Sequence, residues 1–161
     1  MNTEFQPFVF GHSVTQDLLD ELGHANYNAL KGVLENARHR LCKHLGFGRK
    51  TLREKLGLGL FMRRDSYEYH KSLKLNDWMI FIPQIECKGV GMTITLKIIK
   101  MDDGGITLVH TAIYEMVMVR LGNEKPTRIP RPILRSIERW KAEQTILMDP
   151  VPRRPKSVIQ I

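Results

Sequence analysis

The fold is decided by residues 20–38, DELGHANYNALKGVLENAR, where a glycine turn leads directly into a long helix. Asn26 is the expected N-cap, because its side chain can accept a hydrogen bond from the free amides of the first turn. The pattern predicts an amphipathic helix over residues 27–45 that lies along a sheet. We expect Gly32, inside this helix, to mark a close approach to a strand. Apolar residues recur in steps of three and four on one helix face, at Tyr27, Leu30, Leu34, Ala37, Leu41 and Leu45.

The N-terminal end of this helix is a candidate site for acyl chemistry. A helix N-terminus offers unpaired N–H groups and the positive end of the helix dipole to an incoming oxygen. The candidate donors are Gly23 and the first helical amides, those of Tyr27 and Asn28. Asp20 lies a few residues earlier, so a carboxylate and an oxyanion-binding site can face one small volume. The competing interpretation is an ordinary capped helix start, preceded by a turn that Asp20 merely closes.

The polar side chains around this helix have more than one interpretation. Histidine side chains can exchange protons near neutrality, so His24 can serve as an acid or a base, or it can order the turn by hydrogen bonding to the backbone. Asn26 fits a helix cap better than a substrate contact. Glu35 and Arg38 are three residues apart and can pair on the helix surface. Glu35 also lies two turns beyond Tyr27, where it can border an acyl pocket.

The composition predicts one folded domain. The chain has 161 residues, of which 42% are hydrophobic and 26% charged, and a core of that size needs no disulfide or metal. Cys42 and Cys87 are the only cysteines and form no C-x-x-C motif, which indicates a reduced, cytoplasmic location. No run reaches the ~20 apolar residues of a membrane helix. The first residues lack the basic leader of a secretory signal, so we expect no membrane association.

A formal charge of +8, from 25 basic and 17 acidic residues, requires an explanation. Nucleic acid is the generic partner of such a basic chain. A thiol carrier that bears a nucleotide, such as coenzyme A, suits the charge equally, and so does an acidic acyl carrier protein. Net charge alone does not separate these three partners.

Beyond the helix, the chain reads as strands and turns. Pro83 cannot donate a ladder hydrogen bond, so an edge or a bulge is expected there. One strand, one long helix and an antiparallel meander of four strands indicate an α+β domain whose sheet wraps the helix. We place this domain at residues 1–135 and a basic C-terminal extension at residues 136–161. Alternation predicts strands over residues 7–14, 58–70, 78–88, 92–100 and 107–121, with a tight hairpin turn at the DDGG run of residues 102–105.

The helix segment resembles a known family. Residues 20–38 are similar to the D-x-x-G-H-x-N-N-x-x-Y…E-x-A-R segment of the hot-dog-fold thioesterases related to 4-hydroxybenzoyl-CoA thioesterase. Tyr27 departs from this pattern, since it stands where the second asparagine is usual, and Leu30 stands where a tyrosine is usual. The residues that match the pattern are Asp20, Gly23, His24, Asn26, Glu35, Ala37 and Arg38.

The resemblance continues through the strands. Tyr69 and Asp77 keep the spacing of the family's Y-x-x-P…G-D strand entry, although Ser72 replaces the proline and Asn76 the glycine. The KPTRIP run at residues 125–130 resembles the segment that closes the family's last strand. The similarity therefore spans most of the chain.

The resemblance implies a hot-dog fold, in which an antiparallel sheet wraps around one long central helix, and a homodimer or tetramer with its site at a subunit boundary. It implies that Asp20 is the catalytic carboxylate, as a base on water or as a nucleophile, and that the Tyr27 amide polarises the thioester carbonyl. In another branch of these thioesterases the carboxylate lies on the helix, which makes Glu35 the second candidate. The expected activity is hydrolysis of an acyl thioester of coenzyme A or acyl carrier protein, without a cofactor or a metal.

Further candidates lie outside the helix start. Tyr69 and Asp77 fit strand-edge or dimer-contact roles, and Tyr69 is also a candidate substrate contact. The basic residues of the second strand and of the segment before it are candidate contacts for the phosphates of coenzyme A, or else form a solvated face. These residues are Arg63 and Arg64 on the strand and Arg49, Lys50 and Arg53 before it.

Two alternatives to hydrolysis stay open. The departures at Tyr27, Leu30 and Ser72 suit a non-catalytic module on the same fold that binds acyl-CoA or an acyl carrier. The net charge suits a nucleic-acid binder, which we rank last because no strand carries the aromatic and basic pattern that stacks bases. The sequence contains no serine-hydrolase elbow, phosphate-binding loop or dinucleotide fingerprint.

Overall fold

The computed structural model describes residues 10–148. A 3₁₀ turn at Gln16–Leu18 precedes the long helix, and a π-helical turn at Leu52–Leu56 follows the short one. The helices and strands are β1 (Phe10–Ser13), α1 (Tyr27–His44), α2 (Arg49–Thr51), β2 (Leu58–Tyr69), β3 (Trp78–Lys88), β4 (Gly91–Asp102), β5 (Gly105–Arg120) and α3 (Arg131–Met148). The predicted helix and the four later strands are therefore present, with boundaries that differ by two residues at most.

The strands form one antiparallel sheet in the order β1-β3-β4-β5-β2. Alternate residues of β4 are completely buried, while the residues between them are half-exposed, as expected of a sheet with one face in the core. The buried stripe of α1 belongs to the same core as these strand residues. A curled sheet with a long helix against it is the hot-dog fold, so the predicted fold class is confirmed.

The predicted meander of four strands is wrong. Only β3, β4 and β5 follow one another through hairpins, whereas β2 pairs with β5 from Leu58↔Arg120 to Tyr69↔His110. β2 and β3 are three strand spacings of about 4.8 Å apart in the sheet. Residues 70–77 connect the two strands across this distance. Apolar alternation could not reveal it, because a strand has the same pattern whichever neighbour it pairs with.

Two local expectations in the sheet have different outcomes, and the tight hairpin is confirmed. Asp102 pairs with Gly105, which leaves a two-residue hairpin loop at residues 103–104. Pro83 pairs with Leu96 without a shift of register, and within residues 10–148 no strand residue faces it on the other side. Pro83 therefore forms no bulge in the ladder between β3 and β4, and an edge position for it stays a prediction.

The last helix packs against the domain. Its residues Ile133, Ile137 and Trp140 are buried in the same core as the sheet. Ser136 Oγ donates a hydrogen bond of 2.6 Å to the Leu45 carbonyl at the end of α1. The proposed boundary after residue 135 falls within α3, so the first part of the expected extension packs with the domain. The basic run at residues 150–156 lies outside the described residues, as does the part of the first predicted strand before Phe10.

No helix between residues 10 and 148 combines the length and the apolar character needed to cross a membrane.

Gly32 does not approach a strand, contrary to expectation. It is exposed, and no atom outside its own helix lies within 4 Å of the position that a Cβ would take. We therefore expect Gly32→Ala to raise the free energy of unfolding by about 1 kcal/mol, because alanine restricts the unfolded chain and favours a helix interior. Urea denaturation measures this as a higher midpoint at an unchanged slope. Gly23→Ala is the opposite control, since Gly23 has φ +76°. A destabilised Gly32→Ala protein would contradict the prediction.

Candidate active site

A narrow loop positions Asp20 beside the start of α1. Leu19 and Ala25 form an antiparallel bridge, and the Asn26 amide donates to the Leu18 carbonyl over 2.6 Å. At the tip, the Asp20 amide donates to the His24 carbonyl over 2.7 Å. The loop closes because Gly23 adopts a positive φ, which residues with a Cβ disfavour. The loop thus folds Asp20 back toward the helix N-terminus.

The Asp20 carboxylate is exposed and oriented by the loop. Its Oδ1 accepts hydrogen bonds from the Leu22 amide at 2.8 Å and from the His24 amide at 3.1 Å. Among residues 10–148, no donor contacts the other oxygen, Oδ2. The carboxylate therefore closes the turn, as one interpretation expected, and one of its oxygens remains available to solvent or to a substrate.

The backbone amides at the helix start differ in their hydrogen-bond acceptors. Asn26 is the N-cap, as predicted, and its Oδ1 accepts from the Asn28 amide at 2.8 Å. The Gly23 amide donates to the Asp20 carbonyl at 3.1 Å. Two of the three expected oxyanion donors, Gly23 and Asn28, are therefore already engaged. The Tyr27 amide has no acceptor in the described part of the chain, so it is the donor that a ligand oxygen can use.

His24 acts on the loop through its backbone. Its amide donates to Asp20 Oδ1, its carbonyl accepts from the Asp20 amide, and it forms an isolated bridge with Lys74. The neighbouring Ala25 amide donates to the Leu73 carbonyl at 2.8 Å. These bonds join the helix start to the segment between β2 and β3. They favour the interpretation of His24 as a residue that orders the turn.

A cavity of about 280 Å³ opens next to the helix start. Its wall includes Ala25 and Leu30 from the α1 side and Tyr69, Leu73 and His110 from the sheet side. The Tyr69 ring stands edge-on to the Tyr27 ring, with 6.0 Å between the centroids. Tyr69 thus lies between the cavity and the Tyr27 ring, and its role as a substrate contact stays a prediction.

His110 lines this cavity and was not among the predicted site residues. It is 1% exposed, and neither ring nitrogen has a hydrogen-bond partner among the described residues. Its ring lies 4.4 Å from the Tyr69 ring, centroid to centroid. The alternation along β5 could have identified His110 as an inward-facing residue. Ala112, Tyr114 and Met116 follow it at every second position on the same buried face.

The buried imidazole makes stability depend on pH. Burial, with a smaller effect from His70, lowers the pKa of His110 from 6.5 to about 4. Between these values the unfolded chain binds a proton that the folded chain does not. We therefore expect His110 to lower the free energy of unfolding by about 1.4 kcal/mol per pH unit as the pH falls from 6.5 toward 4. Urea denaturation of the wild type and of His110→Phe would measure this, and equal pH slopes would contradict it.

Glu35 and Arg38 form the expected ion pair, but only Glu35 lies on the surface. Arg38 is buried, and its NH2 group lies 3.9 Å from the exposed Glu35 carboxylate. The inward direction of Arg38 follows from helix periodicity, since it lies one turn beyond Leu34 on the buried face. Eight residues separate Glu35 from Tyr27, about 12 Å along the helix axis. Within one chain, Glu35 is therefore remote from the Tyr27 amide.

The basic candidates are also distant from Asp20. A bulge between Met62 and Arg64 shifts the register of β2, and Arg64 then pairs through two hydrogen bonds with Glu115 on the sheet face opposite α1. Arg63 and Arg64 precede Tyr69 by six and five residues, about 17–20 Å along the strand. The cluster Arg49, Lys50 and Arg53 lies beyond the far end of α1.

Asp77 has a structural role. Its Oδ2 accepts from the Lys74 amide at 2.9 Å and faces Lys100 Nζ at 3.4 Å, which closes the turn before β3. The preceding Asn76 has φ +68°. This left-handed conformation favours glycine, which is the usual residue at this position in the resembling family. Asparagine also tolerates it, so Asn76 can replace the glycine here.

Among residues 10–148, no group of three histidine, cysteine, aspartate or glutamate side chains is arranged to hold a metal ion.

Comparison with known proteins gives one family and one fold. The model of the thioesterase-like superfamily matches residues 14–137. No curated protein matches the chain significantly.

Several solved structures share the architecture. A hypothetical protein from Staphylococcus aureus in complex with CoA is 20% identical, with a TM-score of 0.75 over 85% of each chain. A 1,4-dihydroxy-2-naphthoyl-CoA thioesterase from Synechocystis is 14% identical, with a TM-score of 0.70 over 81% of this chain and 94% of its own. A mutant 4-hydroxybenzoyl-CoA thioesterase complexed with 4-hydroxybenzoyl-CoA is 15% identical, with a TM-score of 0.71 over 81% and 97%. At these identities the likeness establishes the fold.

Proposed function

Because the chain belongs to the thioesterase-like superfamily, we propose that it hydrolyses an acyl thioester to a free acid and a thiol. The observation that carries this proposal is the Tyr27 amide at the start of α1, which has no acceptor among residues 10–148. It lies in the same loop structure as the Asp20 carboxylate, one oxygen of which has no donor among those residues. The first can stabilise a developing oxyanion, and the second can deliver or activate a nucleophile. Thioester hydrolysis requires both functions.

The reaction follows from these two groups. The thioester oxygen accepts a hydrogen bond from the Tyr27 amide, which polarises the carbonyl carbon. Asp20 then takes a proton from water as the water oxygen attacks that carbon, and the tetrahedral oxyanion collapses with loss of the thiolate. The proton held by Asp20 passes to the thiolate. In the nucleophilic variant, Asp20 itself forms an acyl anhydride that water hydrolyses in a second step.

The cavity beside the helix start is the proposed acyl site. Its wall includes Ala25 and Leu30, which flank Tyr27 in the chain, and most of its lining surface is apolar. We assign the thiol carrier as coenzyme A, because two structural neighbours hold CoA or an acyl-CoA and the net charge of +8 favours a polyanionic substrate. Acyl carrier protein is the alternative substrate, since its acidic surface also suits the charge.

We also propose that the working form is a homodimer or a tetramer of such pairs. In the described chain, the outer edge of β2 has no strand partner. That strand exposes Phe61, Met62 and Tyr69, which are 46%, 40% and 49% exposed. Pairing of two β2 edges would extend the sheet and protect these residues from water. It would also bring basic residues of one subunit toward the helix start of the other.

The test is thiol release from a panel of acyl-CoA substrates with short, medium, long and aromatic acyl groups. We expect turnover on at least one class. Binding of a non-hydrolysable thioether analogue without turnover on any acyl-CoA or acyl carrier protein would indicate the non-catalytic module instead. Failure to bind any acyl carrier, with steeply salt-dependent binding to nucleic acid, would support the basic nucleic-acid binder.

A further inference from the structure

A second cavity lies near the opposite end of α1. Its volume is about 300 Å³, and its wall contains residues of α1, of the segment at residues 47–53 and of the start of β2. Arg38, which lines it, lies eleven residues beyond Tyr27, about 16 Å along the helix axis. None of its lining residues belongs to the wall of the cavity beside the helix start. Within one chain, the second cavity is therefore separate from the proposed acyl site.

Arg38 has an unused hydrogen-bond donor. The residue is 7% exposed, its NH1 donates to Met116 Sδ at 3.1 Å, and its guanidinium lies 4.8 Å from the Tyr114 ring centroid. Its Nε has no acceptor among the described residues. A buried cation with an unpaired N–H is unfavourable, because water that once bonded to it has been removed. This N–H is enclosed, so an anion in the cavity would interact with the positive charge of the guanidinium as a whole.

The charge around the cavity favours an anion. Arg49 and Arg53 are exposed and also line the cavity, whereas no carboxylate from residues 10–148 does. Glu35 and Glu54 lie 3.9 Å from Arg38 and Arg53 but are not part of the wall. Burial, together with the charges of Arg38 and Arg49, lowers the pKa of His39, another wall residue. The cavity thus has a positive potential.

The rest of the wall is apolar. Phe47 and Leu52 are almost fully buried there, and Leu60 and Phe61 from β2 complete it. A multiply charged phosphate would leave several oxygens against these side chains without donors. A carboxylate needs fewer donors and matches the planar guanidinium, while an attached apolar body can contact the remaining wall.

We propose that this cavity is a binding site for a small amphipathic carboxylate. The positive charges of Arg38 and of the rim residues Arg49 and Arg53 attract the carboxylate, and the apolar body lies against Phe47 and Leu60. The site does not depend on the proposed thioester chemistry, so it can be tested whether or not the protein proves to be a hydrolase.

The experiment is calorimetric titration of the full-length protein with octanoate, in parallel with octanol. Octanol has the same chain without the charge. We expect octanoate to bind the wild type at least tenfold more tightly than octanol. In Arg38→Met, which keeps a long apolar side chain, octanoate should lose at least tenfold in affinity while octanol is unaffected.

Two further measurements separate this site from others. Methyl NMR should show octanoate-induced shifts at Leu52, Leu58 and Leu60, and not at Leu30 and Leu73 beside the helix start. Arg49→Gln, an exposed change that does not threaten folding, should weaken octanoate binding severalfold at low salt and less at high salt. The proposal is overturned by any of four results: no octanoate binding, equal binding of octanol, unchanged affinity in both variants, or shifts confined to Leu30 and Leu73.

Discussion

Tyr27→Pro should lower kcat for thioester hydrolysis by about 10²- to 10³-fold while the helix stays folded, because it deletes one N–H from the proposed oxyanion site. Tyr27 is the first residue of α1, where a helix makes no use of the backbone donor and proline fits well. Asn26 before it has φ −70° and ψ 130°, the extended conformation that a residue before proline prefers. Proline therefore removes the donor with little disturbance of the backbone.

Tyr27→Ala is the matched control, because it removes the same ring and keeps the amide. The ring contacts Tyr69 and Lys31, so a modest change in KM is expected from its loss. Steady-state kinetics of both variants on the best acyl-CoA separates the two effects, and circular dichroism checks the helix content. Equal losses of kcat in the two variants would assign the effect to the ring and would remove the Tyr27 amide from the mechanism.

Asp20→Asn should lower kcat by roughly 10²- to 10⁴-fold, the usual contribution of a positioned base. The substitution is well suited to this site because the asparagine Oδ1 can still accept from the Leu22 and His24 amides, which preserves the turn. Only the other oxygen changes, from a carboxylate oxygen to an amide nitrogen. The turn and the chemistry are thereby tested separately, whereas Asp20→Ala would disturb both.

Asp17→Asn is the control for a general effect of charge. Asp17 is exposed, lies three residues before Asp20 and hydrogen bonds with the Thr15 hydroxyl, outside the loop at residues 20–24. We expect its kcat to stay within about twofold of the wild type, because a surface charge outside the site contributes little at ordinary salt. If Asp20→Asn kept full activity on a substrate that the wild type hydrolyses, Glu35 would become the candidate carboxylate, and its distance from Tyr27 within one chain would require a second subunit.

The two substitutions together report whether Asp20 and the Tyr27 amide act in the same step. Groups that stabilise one transition state are commonly non-additive, so the double variant should lose less than the product of the single losses. If the loss of kcat in the double variant equalled the product of the two single losses, the two groups would act independently. That result would argue against the proposed arrangement.

Local sequence determined much of the architecture. The helix start at Tyr27, the Asn26 cap and the hairpin at residues 102–105 were predictable, because each depends on hydrogen bonds or backbone angles within a few residues. The bounds of β3 were also predictable from alternation between two turn segments. The expected close approach of a strand to Gly32 was wrong. A glycine in a helix shows only that a side chain is missing, and it does not show whether another element lies against that position.

Only the tertiary structure decided the partners of these elements and the state of their polar groups. β2 joins β5 and not β3, which aligns Tyr69 with His110 and encloses the cavity at the helix start. The state of each polar group likewise depends on which atoms lie opposite it. Among residues 10–148, the Gly23 amide has an acceptor, whereas the Tyr27 amide and the buried Nε of Arg38 have none. Sequence periodicity tells which face of an element is buried. It does not tell which element covers that face, because the pattern belongs to one element, whereas a contact involves two.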